Sequence, residues 1–132
     1  MPTPKNSELL KHLSLKESYA VYRPTAKVTL AEAVKMIDRA IGYCRENAIT
    51  GLLLDIRGLS GFGPPSVFDR FSFSRQWAES GAGHVAVEAI ARVEMIDPDK
   101  IGVTMAMNRG LESDVFTSES EAVEWLLEKC GN

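Results

Sequence analysis

Between Leu30 and Ala48 the apolar residues fall at steps of three and four. Leu30, Val34, Ile37, Ile41, Cys44 and Ala48 form one stripe, while Glu32, Lys35, Asp38, Arg39, Arg45 and Glu46 fall largely off it. Thr29 and Glu32 stand at capping-box spacing, where a threonine hydroxyl accepts from an early helix N–H and the glutamate reaches back. The pattern predicts a long amphipathic helix. The next apolar run, Leu52-Leu53-Leu54-Asp55-Ile56, is continuous, as suits a central strand covered on both faces. A glycine- and proline-rich corner follows, and Ser66 with Asp69 three residues on opens a second helix. Its expected buried line is Val67, Phe71 and Ala78, flanked by Phe68 and Trp77, and Gly81 and Gly83 stop it.

The remaining segments repeat this alternation. Residues 84–91 alternate and read as a strand. In 97–110 a strand competes with a helix, because Val103, Met105 and Met107 alternate with smaller residues. A helix over 98–109 is preferred: Asp97 can cap it, Pro98 suits its first position, and Gly110 stands just past its end. Val115–Thr117 follows as a short strand. Ser118 and Glu121 form a second capping box, before a helix striped by Ala122, Val123, Leu126, Leu127 and Cys130. Near the start, 18–23 reads as a strand ended by Pro24, and 10–15 is compatible with a short edge strand. Residues 1–8 read as a flexible tail and 9–130 as one domain. Strand and helix in turn make an α/β domain: a single-domain sandwich with a four- to five-stranded mixed, mostly parallel sheet and about four helices.

Composition narrows the functional classes. In 132 residues, 45% are hydrophobic and 25% charged, and the net charge of −3 comes from interspersed acids and bases. A nucleic-acid groove needs clustered Lys and Arg, so none is expected. No apolar stretch reaches the length of a membrane span. The beginning of the chain lacks the apolar core of a secretion signal, and Cys44 and Cys130 suggest reduced thiols, so the expected location is cytoplasmic.

Several segments resemble STAS domains, the fold of bacterial anti-sigma-factor antagonists. "ITGLLLDIRGLSGF" resembles their strand and loop, and "GLESDVFTSESEAVEWLLEK" is similar to the end of that fold. The Glu-Ala-x-x-Trp-Leu pattern, "PPSVFDRFSFSRQWA" and "MIDPDKIGVTMAMNRGL" resemble a STAS/Sec14-like, SpoIIAA-like branch of mostly unassigned function. The resemblance spans residues 18–129. It implies a regulatory, non-enzymatic domain, and it maps the phosphoacceptor serine of the antagonists onto Ser66. The antagonists' Asp-Ser-small-Gly setting is absent: the neighbours here are Pro64, Pro65 and Val67, without the preceding acid or following glycine, so only the serine and its helix-start position match.

The candidate site is therefore the corner around Ser66. Its hydroxyl can simply cap the helix, or the free N–H groups there can attract phosphate, helped by Arg57 and Arg70. Asp55, Gly61, Phe62, Gly63 and Phe68 form the expected ligand or partner loop. Met95, Met105 and Met107 with Phe62, Phe68, Phe71 and Phe73 either line an apolar pocket or pack the core. Asp55 could act as a base, though an acid there more often receives loop N–H bonds. His12 and His84 are isolated, and neither metal ligands nor a cofactor motif are expected. The reading is a non-enzymatic interaction domain that binds a protein partner, or itself as a homodimer, through 57–70. The alternative is a small-molecule binder for an anionic or lipid-like ligand, held between the 57–66 loop and the Met95–Asp97 segment.

Overall fold

Each parallel strand pair of the main sheet is joined by a helix that crosses the same face. The computed structural model describes the backbone of residues 4–130 and side chains from Ser7 onward. The elements run α1 (Pro4–Leu10), β1 (Leu13–Leu15), β2 (Ala20–Tyr22), β3 (Ala26–Lys27), α2 (Leu30–Glu46), β4 (Gly51–Asp55) and β5 (Leu59–Ser60). They continue α3 (Val67–Gly81), β6 (Ala86–Ile90), a 3₁₀ turn (Val93–Met95), α4 (Ile101–Asn108), β7 (Ser113–Phe116) and α5 (Glu119–Cys130). Among the described residues no helix is long and apolar enough to cross a membrane.

The main sheet has the order β1-β2-β4-β6-β7. β1 is antiparallel to β2, and the other neighbours are parallel. The crossovers β2→β4→β6→β7 all step the same way, so right-handed connection puts α2, α3 and α4 on one face. There Ile37, Ile41, Ala78 and Ala106 pack on Leu52, Leu54 and Val87. Among the described residues α5 covers the other face, where Ala122 and Leu126 meet Val21, Leu53, Ala86 and Ile90. β4 is buried along its whole length, as its continuous apolar run requires.

Four details differ from the expectations. Pro4–Leu10 is helical, with Leu9 buried, where a tail was expected through residue 8; residues 1–3 lie outside the described residues. Residues 97–110 do contain a helix, but it starts at Ile101. Lys100 sits in left-handed backbone, and the Asp97 carboxylate accepts the Ile101 N–H, so Pro98 lies in the preceding turn. In α3, Val67 and Phe71 face outward instead of forming the buried line. The buried face is Ser74, Ala78 and Gly81, because α3 carries apolar residues on two sides and packing selects one. Finally, the corner pairs with the segment after β2: β5 runs parallel to β3, Ala26 opposite Leu59 and Lys27 opposite Ser60.

Candidate functional site

The glycines of the corner are there for close approach. At Gly58 an added Cβ would lie 2.8 Å from the Pro24 carbonyl oxygen. At Gly61, with φ +104°, it would run into that of Val28. The Val28 N–H also donates to the Ser60 carbonyl at 2.8 Å. The first half of the corner is thus sewn to residues 26–28, while Gly61, Gly63 and Pro64 stay exposed.

Ser66 caps α3 through a reciprocal pair. Its Oγ accepts the Asp69 N–H at 3.0 Å, and the Asp69 carboxylate accepts the Ser66 N–H at 3.0 Å. The helix start therefore already holds a negative charge. Arg70 does not turn to it. Its Nε donates to the Pro65 carbonyl at 3.1 Å and its Nη2 to the Met95 carbonyl at 3.4 Å, strapping the corner to the 3₁₀ turn.

Arg57 belongs elsewhere. It chelates Asp55 with Nε and Nη2, both at 2.8 Å, and Nη2 lies 3.7 Å from Glu119. Arg23 bridges the same Asp55 to Glu119. Hydrogen bonding to Arg57 holds the Asp55 carboxyl below its ordinary range against the opposing effect of burial, and Arg23 adds to this. A carboxylate gripped by two guanidiniums is a poor proton acceptor, so Asp55 acts as a clamp between the ends of β2 and β4 and the start of α5. Ser66, Arg57 and Arg70 do not converge on one anion. Arg23 and Glu119 were missed in the sequence because their partners lie 32 to 96 residues away.

Beneath the corner lies an apolar cavity of about 150 Å³. Leu54, Ile56, Val87 and Ala89 from the sheet form its floor, and α2, α3 and α4 wall it with Val34, Ile37, Phe73, Trp77 and Ala106. Phe62 and Pro65 on one side and Met95, Ile96 and Asp97 on the other complete the lining, with Arg70 between them. The Phe73 and Trp77 rings stack at 4.4 Å, and the Trp77 indole N–H donates to the Val34 carbonyl at 3.2 Å. Phe62, Phe73 and Met95 thus join the lining, whereas Phe68, Phe71 and Met107 are exposed. Val67, Phe68 and Phe71 are 59%, 76% and 42% exposed. Phe71 stands four residues after Val67 and three after Phe68, so the three make one apolar patch beside the Ser66 cap.

Other sequence candidates are accounted for. Cys44 is buried in the core, and desolvation pushes its thiol up to about 12, so it is packing and not a nucleophile. The Cys130 thiol, also raised by burial, donates to the Ser18 carbonyl at 3.4 Å. His12 lies 3.9 Å from Glu8, and His84 is exposed ahead of β6. Among the described residues no three His, Cys, Asp or Glu side chains gather at metal-binding distance.

This architecture is a STAS-like fold. An anti-sigma factor antagonist from Mycobacterium paratuberculosis superimposes with a TM-score of 0.56 at 12% identity, over 86% of this chain and 90% of that one. An uncharacterized protein with a SpoIIAA-like fold from Shewanella loihica covers the same shares at 16% identity and a TM-score of 0.47. No protein-family model and no curated protein matches the sequence. The likeness is one of fold.

Proposed function

We propose that this chain is a non-enzymatic interaction domain that docks a protein partner through residues 61–65 and the first two turns of α3. The observation that carries the reading is the exposed Val67–Phe68–Phe71 patch on a helix whose opposite side already packs on the core. Three large apolar side chains in water on one rigid helix end favour a contact surface. The STAS-like fold supports a regulatory role of this kind by analogy of fold. A second copy of the chain is the simplest alternative occupant. Free Cys44 and Cys130 suit a cytoplasmic setting. Phosphorylation of Ser66 is a further element of the reading; it would set a phosphate against the Asp69 carboxylate and open the cap by repulsion.

Tagged wild-type protein and a Phe68→Glu variant, purified from the native host, would be compared for co-purifying proteins, with sedimentation of each pure protein run alongside. Loss of a specific partner, or of self-association, in the variant supports the patch. Identical partners and identical sedimentation for both proteins overturn it.

The cavity favours a second reading, a small-ligand binder of anionic or lipid-like type beneath the same corner. Both uses meet at Arg70, which joins the corner to the far rim of the cavity.

A further inference from the structure

Resting on the ligand reading, we propose that the cavity between α2, α3, α4 and the sheet takes a single-ring or short branched carboxylate, whose apolar body fills the void and whose carboxylate meets Arg70. Volume decides the size class. A void of about 150 Å³ lined by aliphatic and aromatic side chains accepts a benzene-sized molecule and is too small to enclose a long acyl chain. The walls supply that lining through Val34, Ile37, Leu54, Phe73, Trp77 and Val87.

Charge decides the head group. Among the described residues, the ionisable members of the lining are Arg70, Asp97, Lys100 and Asp114. Lys100 and Asp114 neutralise each other at 2.8 Å. Asp97 accepts the Ile101 N–H at 2.9 Å and is committed to starting α4. Arg70 has two neutral carbonyl partners and no ion pair among the described residues. A guanidinium has five donors, and two bonds to carbonyls leave it able to bind a carboxylate. Ser74 Oγ, buried in the same wall, donates to the Gly102 carbonyl at 3.0 Å and keeps an acceptor position for a ring hydroxyl.

Three probes test this on the full chain: benzoate, neutral toluene and decanoate, followed by the Trp77 indole N–H resonance and by thermal shift. Benzoate is expected to bind about tenfold more tightly than toluene, as one charge-assisted contact provides. Arg70→Gln is expected to erase that preference while toluene binding persists. Val34→Phe, at a half-exposed lining position, is expected to block both ring compounds, and Ala106→Leu fills the void from the opposite wall as a second test. Decanoate binding more tightly than benzoate overturns the ring-sized carboxylate and leaves the ligand reading standing. Toluene matching benzoate overturns the role of Arg70. No response to any probe overturns the proposal and the ligand reading together.

Discussion

Glu88 and Asp114 stand in register on the adjacent parallel strands β6 and β7, two carboxyl groups side by side of which only one has a cation. Asp114 accepts Lys100 Nζ and the Val115 N–H, both at 2.8 Å. Glu88 is fully buried beneath α5, and neither of its oxygens has a hydrogen-bond partner among the described residues. Burial, then the Asp114 charge, push the Glu88 carboxyl up to about 9, against smaller opposing effects of the Ala89 N–H and Lys100.

The folded chain therefore holds a proton on Glu88 at neutral pH that the unfolded chain, with an ordinary value near 4.5, releases. The contribution is fully present below about 4.5 and is lost as pH rises towards about 9. Urea unfolding across this window is expected to show stability falling by up to about 1.4 kcal/mol per pH unit from this group. Glu88→Gln should flatten the slope and be the more stable protein at pH 8. An equally steep slope in the variant would assign the dependence to other groups.

Asp55 has the opposite sign. Its carboxyl is held low, mainly by hydrogen bonding to Arg57, so its contribution is present above the ordinary carboxylate range and is lost as pH falls through the depressed value. Arg57→Ala should move the Asp55 carboxyl resonance midpoint upward in an NMR titration. Arg23→Ala should move it upward by less. A midpoint that stays put in Arg57→Ala would show that Arg23 alone maintains the charge.

The reciprocal Ser66–Asp69 cap gives a graded series. Ser66→Ala removes the acceptor for the Asp69 N–H and is expected to lose about 1 kcal/mol in chemical denaturation. Ser66→Asp keeps a capping oxygen but sets two carboxylates at one helix start, and should fall between wild type and Ser66→Ala. If Ser66→Ala matched wild type, the hydroxyl would have no structural role.

Two glycines should respond in opposite directions to alanine. Gly61 has φ +104°, and its Cβ would press on the Val28 backbone, which cannot swing aside like a side chain. Gly61→Ala is expected to lose about 1–3 kcal/mol or more, the scale of backbone strain at such a position. Gly42 lies inside α2 with nothing within 4 Å of an added Cβ, so Gly42→Ala should gain up to about 1 kcal/mol. Thermal melts of the pair, read against wild type, check both.

Where a segment carried one unambiguous stripe, its sequence was enough. The Thr29 cap, the stripe through Ile37, Ile41 and Cys44, and the unbroken run of β4 all appear as their patterns implied. α3 was harder because Val67, Phe68 and Phe71 compete with Phe73, Trp77 and Ala78 for the sheet, and both sets are apolar. Pro98 was placed one turn too early in α4 because Asp97 caps through a side-chain bond four residues on, a geometry that spacing alone does not distinguish. The corner was found as a loop, but its pairing of Leu59 with Ala26 depends on a partner more than 30 residues away.

Local alternation of period and capping chemistry thus determined the order of strands and helices, and with it the parallel sheet, because neighbouring residues alone set those propensities and handedness restricts the crossovers. Tertiary structure alone decided which side of α3 met the sheet, which carboxylate claimed Arg57, and that a ring-sized void lies behind Arg70. Those outcomes depend on side chains brought together from distant parts of the chain, where packing and desolvation, absent from any short stretch of sequence, choose among contacts of equal local merit.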